Sequence, residues 1–185
     1  MPVRPVLPQA FDSARLTIGC YQLDDGPAIN AAVVEALETL RPWMPWAQTA
    51  PTLAESAEFC RRAREEYLAR ANFTLKLTRR DTGELIGSSG LHPRLESPDA
   101  YEIGYWLRPS SVGQGYVTEA VGAIAAVGFE VLRATRIEIH AEENNARSRA
   151  VPERLGWRQI GQRDHLNVAG EKVKMIIYAL WPPTG

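Results

Sequence analysis

The sequence predicts an α/β fold built on a mixed β-sheet, and three observations carry that reading. Apolar residues recur at helical spacing in several segments, alternate with period two in others, and a glycine-bearing loop joins a strand to a helix near mid-chain. Several consecutive strands are joined too tightly to run parallel, so the sheet must be partly antiparallel. With 185 residues, 45% hydrophobic and 23% charged, the chain has the composition of one globular domain that needs no disulfide or metal to hold a core. A single domain over residues 1–185 is therefore expected, with proline-rich loose ends at 1–10 and 182–185.

A short strand is expected at residues 15–18. Asp24, Asp25, Gly26 and Pro27 follow, with aspartate suited to a helix cap and proline to a first turn, and Ile29, Val33, Leu37 and Leu40 then repeat at helical spacing. The next helix opens on Thr52-Leu53-Ala54-Glu55, the arrangement of a capping box, and sets Leu53, Ala57, Cys60, Ala63 and Tyr67 on one face. The period changes to two at Phe73, Leu75 and Leu77, and Asp81-Thr82-Gly83 turns the chain into a second strand at 84–91. A strand over 100–107 leads through Ser111-Val112-Gly113-Gln114-Gly115 into a helix striped by Val117, Ala120, Val121, Ile124 and Val127. Residues 136–141 alternate as a strand, 146–155 read as a helix, and 157–160 with 172–180 form a closing strand pair. Pro152 falls inside that last helix and cannot donate to the Ser148 carbonyl, which predicts a late helix start or a kink beside Ser148.

Lys and Arg number 21 against 22 Asp and Glu, a formal net charge of −1 with no basic tract, which argues against nucleic acid as a partner. Cys20 and Cys60 lack the spacing of a disulfide framework or a metal site, and His92, His140 and His165 form no ligand motif, so no metal is expected. No apolar run reaches the roughly 20 residues of a membrane span, and a signal-peptide core is missing. The expectation is a cytoplasmic protein without a membrane partner, either a monomer or a homodimer.

The glycine loop presents backbone N–H groups at the positive end of a helix dipole, which suits a phosphate-bearing ligand; the alternative is a tight turn that the glycines merely permit. Neither a Walker loop nor a dinucleotide fingerprint fits, since Gly-Lys-Ser/Thr and a third glycine are missing.

Four runs stand in linked order: Glu102-Ile103-Gly104-Tyr105-Trp106-Leu107-Arg108-Pro109, then Gly113-Gln114-Gly115-Tyr116-Val117-Thr118-Glu119-Ala120, then Asn145-Ala146-Arg147-Ser148, then Leu155-Gly156-Trp157. Together they resemble the GCN5-related N-acetyltransferase (GNAT) superfamily. With Leu40-Arg41-Pro42-Trp43-Met44-Pro45-Trp46 they resemble its RimJ/RimL branch of ribosomal-protein N-terminal acetyltransferases, over residues 15–180. The resemblance implies a mixed, mostly antiparallel central sheet flanked by helices, and acetyl-CoA as donor. It implies pyrophosphate on the backbone N–H groups of Gly113, Gln114, Gly115, Tyr116, Val117 and Thr118, with pantetheine along the strand that ends at Leu107 and Arg108. It also implies Asn145 on the pantetheine arm and Ser148 near the thioester sulfur. Val112 stands where the family has Arg or Gln, Val117 where it has a small residue, and Ala150 where it has a basic one; Arg108, Arg147 and Arg149 are either a substitute source of positive charge or solvated surface charges.

Acetyl transfer to an amine needs a neutral amine, a stabilised oxyanion and a proton for the departing thiolate. Glu102, on the same strand face as Gly104 and Trp106, is either the base or a solvent-facing carboxylate. Ser148 is either the thiolate's donor or a helix-capping hydroxyl. Backbone N–H groups near Leu107 and Arg108 form an oxyanion site if the strand splays there. His140 reads as a packed strand histidine, and Trp43 with Trp46 as either a cleft wall or a core plug. The acceptor implied first is a protein or peptide N-terminus. A small amine such as an aminoglycoside, polyamine or amino acid is the alternative, with Glu35, Glu38, Glu96 and Asp99 as candidate acids, and a non-catalytic CoA-binding module is the third.

Overall fold

The computed structural model describes residues 6–95 and 97–183. In chain order it comprises β1 (Ala10–Asp12), β2 (Leu16–Cys20), α1 (Gly26–Leu40), α2 (Leu53–Leu68), β3 (Phe73–Arg79), β4 (Leu85–Arg94), β5 (Ser97–Glu102), β6 (Tyr105–Leu107), α3 (Tyr116–Glu130), β7 (Arg136–Glu142), α4 (Ala146–Arg154), β8 (Arg158–Leu166) and β9 (Lys172–Leu180). One sheet runs β1-β2-β3-β4-β5-β7-β9-β8, with β6 paired to β4 alone. The β5–β7 pair is parallel and the other pairs are antiparallel, as the tight connections require for β1–β2, β3–β4, β4–β5 and β8–β9. No helix among the described residues is long and apolar enough to cross a membrane.

Local chemistry explains most boundaries. Thr52 and Glu55 close a reciprocal capping box at the start of α2. The β3–β4 hairpin turns at Gly83, which sits at φ 72° where a side chain is strained. Leu91, Ile124, Ile137 and Ile139 belong to the main buried cluster, which joins the sheet to α3, while Tyr21, Ile29, Val33, Cys60 and Leu85 form a second cluster with α1 and α2. Burial of these side chains at ~25 cal/mol per Å² is the dominant stabilising contribution.

Several expectations need correction. The N-terminal end is not loose through residue 10: Leu7 is buried, Tyr67 donates to the Pro8 carbonyl at 2.7 Å, and β1 adds a strand the sequence pattern did not announce. Asp25 does not cap α1, because its carboxylate accepts from the Gln22 N–H and pairs with Lys76. On α2, Leu53 and Ala57 face solvent and Ser56 takes an inward position, since the helix meets the sheet through Cys60, Ala63 and Tyr67. The expected strand over 100–107 is interrupted at Ile103 and Gly104. The last helix starts promptly at Ala146, because the Asn145 side chain accepts the Ser148 N–H at 3.1 Å and caps it.

β4 approaches β6 so closely that a Cβ on Gly87 would lie 2.2 Å from the Trp106 carbonyl oxygen. Gly87→Ala should therefore lower stability by about 2 kcal/mol or more, roughly 4–8 °C in Tm for a chain of this length. The same change at Gly122, inside α3 with its nearest neighbour 3.8 Å away, should raise stability by about 0.5–1 kcal/mol. Thermal unfolding of the two variants against the parent checks the opposite signs.

Candidate active site

The site begins where the sheet parts. Residues 100–102 of β5 pair with 136–138 of β7, and the last rung is the Ile103 N–H donating to the Glu138 carbonyl at 2.8 Å. Beyond it, β6 stays on β4 through Ser89–Tyr105 and Gly87–Leu107, while β7 stays on β9. Between β6 and α4 opens a cleft of about 1040 Å³ that reaches the start of α3. The Arg108 N–H donates to Ile86 on β4, so strand alternation turns the Leu107 N–H the other way, toward the cleft.

At the far end of this cleft, Gly113 and Gly115 hold φ values of 83° and 80°. The first bond into α3 is the Glu119 N–H to the Gly115 carbonyl, so the N–H groups from Gly113 through Thr118 have no protein acceptor among the described residues. Arg15 anchors the loop: its guanidinium donates to the Gln114 carbonyl at 2.9 Å and to Glu119 at 2.7 Å, and lies 4.4 Å from the Tyr116 ring centroid. Burial works to raise the Glu119 carboxyl, yet hydrogen bonds from Ser13 and from the backbone and side chain of Arg15 hold it below the usual range. Such a row of fixed, open donors at a helix N-terminus fits an anionic, phosphate-bearing group. Val112 and Val117 line the cleft beside Gly113, Gly115, Tyr116 and Thr118.

Across the cleft, Pro152 withholds the donor that the Ser148 carbonyl would receive in a regular helix. The Tyr105 hydroxyl takes that place, donating to the Ser148 carbonyl at 2.7 Å, while Ser148 Oγ donates to the Tyr105 oxygen at 3.3 Å. Burial pushes the Tyr105 phenol up to about 12, so it remains a donor at neutral pH. Asn145, Arg147 and Arg154 line the same cleft, and neither arginine forms an ion pair among the described residues.

A second cavity of about 480 Å³ lies on the α1–α2 side, and the two share only Met44, Tyr105 and Trp106 in their linings. Trp46 packs on Trp106 at 6.1 Å, so the aromatic loop is a wall here, and Trp43 lines the first cleft. His92 also lines the second cavity, a placement that no spacing in the sequence signalled.

Other expected site residues lie elsewhere. Glu102 lines neither cavity; its carboxylate is held by Arg94 at 2.6 Å and lies 3.6 Å from His140. Arg108 is turned away to Glu35 and Glu84 and its N–H is spent on β4, so it offers neither a phosphate contact nor an oxyanion donor. Arg149 is likewise engaged, with Tyr178 and Glu153. Glu35 is held below the usual carboxylate range by its hydrogen bonds from Ser110 and by Arg108, and Glu38 pairs with Arg41. Asp99 is exposed on β5, and Glu96 lies outside the described residues. His140 is packed against Glu138 at 2.7 Å.

The Tyr105–Ser148 bond exists because Pro152 leaves a carbonyl free, and the two changes should be coupled. Tyr105→Phe should cost about 1–3 kcal/mol, because it leaves that carbonyl unpaired. In a Pro152→Ala background, where an N–H is restored, the same change should cost about 1 kcal/mol less, as read from a double-mutant cycle of denaturant unfolding.

The model of the Acetyltransferase (GNAT) domain family matches residues 15–158. A protein of Bacillus subtilis (strain 168), YdaF, provisionally named a ribosomal N-acetyltransferase, is 37% identical over 99 residues, 53% of this chain and 54% of its own. The chain spans little more than half the length of the curated relatives it matches. Among solved structures, Mycobacterium smegmatis RimJ with a CoA-disulfide superposes with a TM-score of 0.84 at 21% identity, covering 97% of this chain and 90% of that one. RimL, a ribosomal L7/L12 α-N-protein acetyltransferase in complex with coenzyme A, superposes with a TM-score of 0.83 at 19% identity, covering 95% and 97%. The parted sheet, the open amide loop and the family match over most of the chain lead to one assignment: this chain belongs to the GNAT acetyltransferase family.

Proposed function

We propose that this chain transfers an acetyl group from acetyl-CoA to a primary amine, with the α-amino group of a protein or peptide N-terminus as acceptor. The observation that carries the reading is the pair of cavities meeting at Tyr105 and Trp106. One ends on open amides and suits a long phosphate-bearing donor; the other is bounded by Ile29, Val33, Phe59 and Trp46 and suits an acceptor with an apolar side chain.

In this reading the N–H groups of Gly113 through Thr118 hold the pyrophosphate, and the unpaired Arg147 and Arg154 add the charge that Val112 does not supply. The Leu107 N–H and Asn145 Nδ2 orient the pantetheine arm, since Asn145 Oδ1 is committed to its helix cap. Ser148 Oγ, held by Tyr105, is the hydroxyl nearest in role to a donor for the leaving thiolate. Glu102 is neutralised by Arg94 outside the lining of the acceptor cavity and takes no part in this reading.

The relatives' names support a ribosomal-protein N-terminus as the acceptor class. A polycationic small amine is less well served, because Glu35 and Glu38 are spent on Arg108 and Arg41, and Glu55 in the cavity wall is committed to its capping box.

Acetyl-CoA at about one hundred times its Kd should add roughly 2.7 kcal/mol of stability, a Tm rise on the order of 5–10 °C. Peptides with free N-termini should then release free thiol and gain one acetyl group on the α-amine, while the same peptides blocked at the N-terminus should not react. No shift at millimolar acetyl-CoA sinks the donor site; transfer confined to polyamines overturns the acceptor.

A further inference from the structure

We propose that His92 is the general base of this site, the group that takes the proton from the acceptor ammonium. The proposal rests on the acetyltransferase reading above and adds to it the residue that makes the amine nucleophilic.

The geometry fixes both ring nitrogens. Asn72 Nδ2 donates to Glu66 Oε2 at 3.1 Å, which sets the amide's orientation, because a carboxylate oxygen only accepts. Asn72 Oδ1 therefore faces His92 Nδ1 at 2.7 Å and accepts its proton. That tautomer leaves a lone pair on Nε2, which has no protein partner among the described residues. His92 lines the acceptor cavity together with Ser89, Gly104 and Tyr105. Gly90, two residues back on the same strand face, keeps the ring edge clear: a Cβ there would stand 3.0 Å from Nε2.

The surroundings as a whole favour the neutral ring. Burial lowers the imidazole below its ordinary value, opposed in part by Glu102, its cross-strand neighbour on β5, and by Glu66 on α2 behind Asn72. From α2, Arg62 and Glu55 also face the cavity, and from β3, Thr74. Between the two amine classes, an α-ammonium with an ordinary pKa of about 7.7–8.0 gives up its proton to a neutral imidazole more readily than a lysine ammonium at about 10.4, which favours the α-amine acceptor. Glu102 lacks this placement, since Arg94 holds its carboxylate outside the cavity lining.

His92 Nε2 accepts one proton from the acceptor ammonium. The neutral nitrogen attacks the thioester carbonyl carbon, the C–N bond forms and the C–S bond breaks with its electron pair on sulfur. A second N–H proton passes to the thiolate by way of Ser148 Oγ, one hydrogen stays on the amide, and His92 releases its proton to solvent.

The experiment compares the parent chain with His92→Ala and His92→Gln, using acetyl-CoA and an N-terminal peptide. Both variants should keep the acetyl-CoA thermal shift, which shows the folded donor site, and lose on the order of 10²-fold or more in kcat/KM for the peptide. Added imidazole should restore activity to His92→Ala in proportion to its free-base concentration. The parent's extra loss of activity on the acid side of the ordinary imidazole range, as His92 protonates, should be missing from both variants. A loss under about threefold, or a large loss without imidazole rescue while the thermal shift persists, overturns the role of His92 and leaves the transferase reading standing. A parent chain that acetylates no amine overturns both.

Discussion

The hydrogen bond from the Ile103 N–H to the Glu138 carbonyl is the last tie between β5 and β7, and the architecture of the site follows from where that tie ends. A sheet that continued to pair past it would leave no room between β6 and β7. Because β4 keeps β6 in register while β9 keeps β7, the two halves of the sheet diverge without leaving either strand unsupported. The edge so exposed is the Leu107 side of β6, inside a cleft rather than at the protein surface, where strand edges invite unwanted pairing.

The Tyr105–Ser148 contact braces this opening. It joins β6 to α4 across the gap, and it exists because a proline in a helix interior leaves a carbonyl without its usual donor. An element that would be a defect in an isolated helix is satisfied by a tertiary partner. The contact also fixes the orientation of the Ser148 hydroxyl and keeps Tyr105 at the boundary between the two cavities. Arg15 performs a similar service at the other end, where it ties β2, the glycine loop and the first turn of α3 into one unit.

Charged groups around the site divide into those committed and those open. Arg108, Arg149, Glu35, Glu38 and Glu102 have partners that hold them outside the reacting space, whereas Arg147, Arg154 and His92 Nε2 face the cavities without one among the described residues. A donor with phosphates and an acceptor with an ammonium group call for opposite fields. Arg147 and Arg154 put their charge along the first cleft, whereas the second cavity holds the His92 imidazole with Arg62 and Glu55 in its wall.

The elements legible in the sequence were those set by local chemistry. The Thr52–Glu55 capping box, the alternation of Phe73, Leu75 and Leu77, the αL glycines of the loop and the orphaned Ser148 carbonyl each depend on residues within a few positions of one another, and the structure shows each of them. The family motifs were legible for the same reason, being contiguous runs. The break at Ile103 and Gly104 was not legible, since β5 and β6 are distinguished by which distant strand each one pairs with. Nor were the partner of Ser148, the ion pairs that engage Glu102 and Arg108, or the entry of His92 into the second cavity. Each of these contacts joins residues that chain order separates and the sheet brings together: Tyr105 with Ser148, Arg108 with Glu35, His92 with Asn72. Local sequence sets conformational preference over one turn or one strand, whereas which side chains spend their hydrogen bonds on one another is decided only when the sheet has closed and parted.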